Sequence, residues 1–180
     1  MDETSMSKQT YGSRTDADDR DAQKGMYMTF KSGEEYFGLK IQYVSEIIQF
    51  QVITDIPETE DYIKGLINLR GKVIPVIDVR LRFRQPPFEY NDRTCIIVLN
   101  VREMLVGLIV EKIAEVVDIR EENILPPPKS VRSDKLQNKY VYGIGKVGDS
   151  VKLLLDPDKL LNDEDLTIVE QANDMPSKEE

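Results

Sequence analysis

Residues 65–80, Gly-Leu-Ile-Asn-Leu-Arg-Gly-Lys-Val-Ile-Pro-Val-Ile-Asp-Val-Arg, constrain this chain more than any other stretch. They read as a strand, a charged tight turn and a second strand with a proline in its middle. Asn68, Arg70 and Gly71 make the turn, where Gly71 reaches positive φ without a Cβ clash. Pro75 has no N–H to give to a β ladder, so its strand is expected at a sheet edge or at a bulge. An open edge beside a projecting arginine is a docking surface, or a liability that the fold must protect. The segment points to protein–protein recognition and away from chemistry.

The remaining pattern is mostly β. Tyr27–Phe30 and Glu35–Leu39 flank a polar turn and predict a first hairpin. Ile41, Val44, Ile47 and Ile48 have the spacing of a two-turn amphipathic helix. Apolar runs at Cys95–Asn100, Met104–Val110 and Ile113–Ile119 suit a meander. Leu81–Arg84 predicts a short helical turn stopped by Pro86 and Pro87. Tyr140–Gly145 and Val151–Leu155 predict a last hairpin, and Asp156-Pro157-Asp158 opens a terminal helix docked by Leu160, Leu161, Leu166 and Ile168. Several runs, such as Ile96-Ile97-Val98-Leu99, are apolar at consecutive positions, so both faces of those strands must be covered. The expected fold is all-β with short helices: two small barrels packed together and a C-terminal helix. Residues 1–25 and 171–180 are polar and offer little to bury, so both are expected as disordered tails around a unit spanning 26–170.

Enzyme chemistry finds little support. Histidine is absent, which removes the usual general base, metal ligand and phospho-acceptor. Cys95 is the one cysteine, so no intramolecular disulfide or cysteine-cluster zinc site is possible, and its apolar surroundings predict an inert thiol. Gly143-Ile144-Gly145-Lys146-Val147-Gly148 matches a dinucleotide pattern, but a strand follows where the phosphate-binding helix should start. The run from Gly65 to Lys72 resembles a Walker loop, yet has one residue too many between its glycines and Val73 where a hydroxyl should meet magnesium. Adjacent acids such as Glu121-Glu122 or Asp163 to Asp165 read as solvated faces. No catalytic residue, cofactor or metal is expected. The formal charge of −9 and the lack of tryptophan weigh against a nucleic-acid or ligand-binding barrel, the reading from a different class. No signal-peptide core or apolar membrane-length run is present, so the expected location is the cytoplasm. Glu46, set among apolar residues, and Arg70, at the turn tip, are ordinary surface charges unless the fold brings them together.

Taken together, these residues resemble the CheW family of chemotaxis coupling proteins, from Met26 to about Leu166. Val44-x-Glu46-Ile47, Ile63-Lys64-Gly65-x-x-Asn68-Leu69-Arg70-Gly71 and Pro75-Val76-Ile77-Asp78-Val79-Arg80 carry the likeness. Tyr90-Asn91-Asp92, Val98-Leu99-Asn100, Gly107, Gly143-x-Gly145 and Asp156-x-x-Lys159-Leu160-Leu161 extend it. The resemblance implies two intertwined SH3-like β-barrels of about five strands each and a non-catalytic scaffold. In it, such proteins link the cytoplasmic tip of methyl-accepting chemoreceptors to the histidine kinase CheA, in arrays at the inner face of the membrane. It implies kinase contact, through the regulatory domain, at Val44, Gly65, Asn68, Leu69, Gly71 and Pro75. It places receptor contact or coupling at Glu46, Arg70, Ile41, Val106 and Leu108, around an apolar groove between the barrels. A regulatory module of the same fold in another two-component pathway is the related alternative. One departure stands out: Ser130 replaces an aromatic that some relatives use in ring assembly, where buried aromatics anchor interfaces.

Overall fold

A computed structural model describes residues 23–127 and 139–175, so Ser130 lies outside the described residues. Strands β1 (Met26–Ser32) and β2 (Glu35–Lys40) form the expected hairpin, and a single 3-10 turn at Ile41–Tyr43 leads into β3 (Val44–Gln49). Next come β4 (Ile63–Leu69), β5 (Lys72–Asp78), helix α1 (Val79–Arg82), β6 (Cys95–Val101) and β7 (Met104–Val110). The chain ends with β8 (Lys112–Asp118), β9 (Ile124–Leu125), β10 (Val141–Val147), β11 (Ser150–Leu155), α2 (Pro157–Leu160) and α3 (Asp163–Asn173). Among the described residues, no helix is long and apolar enough to cross a membrane.

Two sheets result, one of six strands in the order β8-β1-β2-β11-β10-β9 and one of five in the order β3-β6-β7-β5-β4. The first takes its strands from both ends of the chain and encloses the sequence of the second, which gives the intertwined topology. The six-strand count departs from the expected five because β9, two residues long, adds to β10. Two parallel pairings join strands distant in sequence: β2 with β11, and β5 with β7.

Runs apolar at every position are explained by three cores. In β6, Ile97 and Leu99 enter the main core between the sheets, while Ile96 and Val98 enter a second core inside the curl of the five-stranded sheet. Tyr27, Val117, Ile119 and Leu154 form a third, within the six-stranded sheet. Phe30, Phe37 and Leu39 in the main core are fully buried, each removing apolar surface worth about 1.5–3 kcal/mol from water. Rings continue from Phe30 through Phe37 and Phe83 to Tyr140, with centroids 5.6, 5.1 and 5.6 Å apart, and so pack Phe83, just after α1, against the six-stranded sheet.

Several local expectations give way to tertiary pairing. Residues 44–49 are a strand and not a helix, because β6 offers them a full antiparallel ladder from Cys95 to Leu99. The three runs at 95–119 are not a meander: β6 and β7 form a hairpin, but β8 crosses to the first sheet and pairs with β1. Pro75 does not mark an edge strand, since β5 lies between β4 and β7. Its parallel pairing with β7 starts only at Val76, so the missing N–H falls where that ladder has not yet begun. Helix α3 runs to Asn173 with Ala172 buried, three residues into the segment expected as a tail. Its buried face is Asp165, Val169 and Ala172; Leu166 and Ile168 pack only partly.

A polar interlock fastens α3 beside the five-stranded sheet. The Tyr62 hydroxyl donates to Asp165 Oδ1 at 2.7 Å, and Asn162 and Asp165 form a reciprocal cap on α3. The Arg82 guanidinium lies 4.4 Å from the Tyr62 ring centroid and 5.0 Å from that of Tyr140, and its Nε donates to the Leu160 carbonyl at 2.7 Å. Burial, reinforced by hydrogen bonds to Asp165, Asp78 and Tyr27 respectively, pushes the Tyr62, Tyr90 and Tyr142 phenols well above their ordinary value. An unfolded chain releases these protons near pH 10, about the free phenol value, while the folded chain keeps them. The stabilisation is therefore complete below pH 10 and lost as pH rises beyond it. Urea unfolding midpoints are expected to fall steadily between pH 9.5 and 11.5; a flat profile across that window would contradict the burial of these phenols.

Candidate functional site

The β4–β5 hairpin tip is the most distinctive exposed feature of the five-stranded sheet. Its two central residues, Arg70 at φ 51° and Gly71 at φ 86°, both occupy the left-handed region, as the two-residue turns that match strand twist require. The Asn68 Oδ1 accepts the Gly71 N–H at 2.9 Å and closes the turn from the side. Arg70 is a non-glycine residue held at positive φ, which aims its side chain away from the hairpin and across to β3.

There it meets Glu46. Arg70 Nη2 donates to both carboxylate oxygens, at 2.7 and 2.8 Å. One nitrogen bridges both oxygens, which differs from the two-nitrogen fork. The arginine side chain is 72% exposed and the glutamate 29%, so the pair contributes at most about 1 kcal/mol to stability. Its consequence is geometric: β3 and β4 are the two ends of the five-stranded sheet, and the ion pair spans them. A register shift between Val44 and Glu46 marks a bulge at Ser45, which turns Glu46 toward the hairpin. Beneath the pair lies a cavity of about 240 Å³ lined by Ser45, Glu46, Leu69, Arg70, Lys72, Val98 and Leu105.

The residues anticipated for partner contact divide sharply by burial. Asn68 and Arg70 are exposed, and Val44, Glu46, Leu69, Gly71 and Ile41 are half-buried around the same region. Pro75 is buried within β5, and Gly65 is buried in β4. Gly65 has a packing reason of its own: at φ 141°, a Cβ would stand 2.0 Å from the Thr54 carbonyl oxygen. Val106 and Leu108 are each 1% exposed and belong to the main core, so they shape the groove from beneath and present no surface to a partner. Alternation along β7 turns both toward the space between the sheets, a direction fixed only once β7 has found its neighbours. Ser45, Lys72 and Leu105 line the cavity without any sequence signal, because three separate strands contribute them.

The outer edge of β4 is partly covered. The Thr54 N–H donates to the Leu66 carbonyl at 2.9 Å, and the Leu66 N–H donates to Thr54 O at 2.8 Å. Backbone groups that face outward alternate along a strand, so Asn68 is the next residue to present them, beside the turn. The glycine-rich run at 143–148 belongs to β10 and its turn. Cβ atoms at Gly143 and Gly145 would stand 2.8 Å from Ile124 Cγ2 and 2.7 Å from Ile119 Cδ1, so these two positions serve close packing.

Comparison with known proteins agrees with this geometry. Residues 26–165 match the family described as CheW-like domain. The chain is 35% identical over 146 residues to the chemotaxis protein CheW of Klebsiella aerogenes, covering 81% of this chain and 87% of that protein. It is 38% identical over 109 residues to the chemotaxis protein CheW of Bacillus subtilis, covering 61% of this chain and 69% of that one. Among solved structures, the scaffolding protein TtCheW from Thermoanaerobacter tengcongensis superposes with a TM-score of 0.71 at 36% identity, over 77% of this chain and 92% of that one.

Proposed function

The chain belongs to the CheW family of chemotaxis proteins, whose members are non-catalytic scaffolds, and from that premise we propose that it couples chemoreceptors to the histidine kinase CheA. The β4–β5 hairpin and the adjoining part of β3 meet the regulatory domain of the kinase, through Val44, Asn68, Leu69 and Gly71. Glu46, Arg70 and Ile41 transmit or contact the receptor tip. Gly65 and Pro75 act indirectly, by fixing where the hairpin stands. The protein works in the cytoplasm, gathered into receptor arrays at the inner face of the membrane.

The observation that carries this reading is the Arg70–Glu46 pair. It is too exposed to matter greatly for stability, yet it joins the hairpin tip to β3 and both its side chains line a cavity. Such an arrangement suits recognition, where charge selects the partner and apolar contact beneath supplies affinity. Contacts of this size are modest alone and gain strength from the multivalency of an array.

Arg70→His is expected to leave the fold intact, with unfolding free energy within about 1 kcal/mol of the parent, since an exposed pair contributes no more than that. It is expected to uncouple receptor from kinase. The check is receptor-controlled kinase activity in a complex reconstituted from receptor, CheA and this protein. Normal ligand control with the variant would count against the role given to Arg70. Pull-downs with the kinase regulatory domain and a receptor-tip fragment, separately and together, assign each face.

A further inference from the structure

Helix α3 ends at Asn173, and its side chain does something unusual for a helix terminus. Asn173 Oδ1 accepts the Leu105 N–H at 3.0 Å, and its Nδ2 donates to the Leu105 carbonyl at 3.0 Å and to the Val169 carbonyl at 2.8 Å. The carboxamide thus pairs with β7 as a strand residue would, with its oxygen and both its hydrogens engaged. No freedom to flip remains.

The position of this contact has a cause in the sheet. Parallel pairing of β5 with β7 covers Val76–Asp78 against Gly107–Ile109. Continuing that register would set Ile74 opposite Leu105, with Pro75 between, and proline has no N–H to extend the ladder. Strand β7 is therefore left with an unpaired N–H and C=O at Leu105, next to where β5 departs. Asn173 fills that gap. The side chain of Leu105 in turn lines the cavity beneath the Arg70–Glu46 pair.

We propose that Asn173 is a positioning residue for the docking face: its carboxamide holds the first turn-proximal part of β7 in register and thereby fixes the Leu105 wall of the cavity. This rests on the reading of the β4–β5 hairpin, which supplies Leu69 to the cavity wall, as part of the kinase-docking face. The C-terminal helix then acts on a recognition site that it does not touch through any partner contact of its own. A side chain in the last turn of the helix and a proline at position 75 are two halves of one arrangement.

The test uses the full chain. Amide hydrogen exchange at Leu105, the thermal midpoint, and affinity for a CheA regulatory-domain fragment are measured for the parent, Asn173→Leu and Asn173→Asp. Asn173→Leu removes all three hydrogen bonds; Asn173→Asp keeps an acceptor for the Leu105 N–H but cannot donate to its carbonyl. The expected result is Leu105 exchange at least tenfold faster in Asn173→Leu and less affected in Asn173→Asp. Affinity for the kinase fragment is expected to follow the exchange, falling about tenfold in Asn173→Leu and less in Asn173→Asp. If Asn173→Leu does not fold, Asn173→Asp carries the same comparison. Unchanged Leu105 exchange would overturn the clamp. Faster exchange with unaltered affinity would overturn its link to the docking face. Should the parent itself fail to bind the fragment, the docking reading fails and the proposed link fails with it, whereas the exchange data still decide the clamp.

Discussion

Replacing Gly65 with alanine is expected to destabilise the protein by about 3–5 kcal/mol, from roughly 1–3 of backbone strain and about 1 for each of two broken backbone hydrogen bonds. Gly65 sits at φ 141°, which side chains rarely adopt, and an added Cβ would lie 2.0 Å from Thr54 O and 2.7 Å from Thr54 C. Those are main-chain atoms, so no rotamer change relieves the overlap. The 50–56 segment must lift from β4, and the paired Thr54–Leu66 hydrogen bonds go with it. Urea unfolding with a check for constant m-value measures the loss. A useful control is Gly148→Ala, where φ is 57° but nothing lies within 4 Å; left-handed backbone alone predicts about 1–2 kcal/mol there. Equal losses at the two positions would show that the close approach at Thr54 contributes nothing. Kinase-fragment binding by any folded Gly65 variant is also expected to fall, because the displaced segment pairs with the outer edge of β4 next to the hairpin.

The second large effect is expected at Asp165. This carboxylate is 2% exposed and accepts from Tyr62 Oη, from the Asn162 backbone N–H at 3.0 Å, and lies 3.8 Å from an Arg82 guanidinium nitrogen. Asp165→Ala leaves the buried arginine without its carboxylate and the tyrosine without its acceptor. Removing one partner of a buried pair costs about 3–5 kcal/mol, mainly because the other charge remains desolvated. Asp165→Asn preserves size but turns an NH₂ toward either the Asn162 N–H or Tyr62, so most of the loss should persist. Unfolding free energies of the two variants and of Arg82→Met decide the matter. A change below about 0.5 kcal/mol for Asp165→Ala would mean that the interlock has no net stabilising effect, as happens for some buried pairs. The replacement should also loosen the start of α3, since the Asn162 N–H loses its acceptor while Asn162 Oδ1 still caps the N–H of residue 165.

Residue-level reading reached far for some elements and failed instructively for others. The consecutive apolar residues of β6 foretold a strand covered on both faces, and Ile97 and Ile96 do enter different cores. The Asn-Leu-Arg-Gly turn was legible because its chemistry is local: the Asn68 side chain satisfies the Gly71 N–H three residues on. The helix expected at 41–48 was wrong because Ile41, Val44, Ile47 and Ile48 fit a helical stripe and a bulged strand about equally. Only a single 3-10 turn, Ile41–Tyr43, forms there before the ladder with β6 takes over. Pro75 meets its two expected settings, an edge or a bulge, only in part: the β4–β5 ladder shifts register between Ile63 and Gly65, next to the Leu66–Pro75 pair, but β5 is interior. Proline forbids a hydrogen bond on one side of the strand, and that excludes a ladder at one residue without excluding an interior strand. The family resemblance places Val106 and Leu108 at the groove, but a resemblance carries no depth, and both are core.

Composition and local pattern were enough for the class of the protein: a β fold with strands apolar on both faces, a turn-and-proline segment, no histidine, and a family likeness resting on particular residues. Which of those residues meet is set by the folded arrangement of the strands. Glu46 and Arg70 are 24 positions apart, and Asn173 and Leu105 are 68 apart, yet each pair is joined by hydrogen bonds. Turn chemistry and strand preference act over a few residues, so they are written locally. Which strands become neighbours depends on closing two sheets so that every apolar face is covered at once, and that condition is satisfied only by the whole chain.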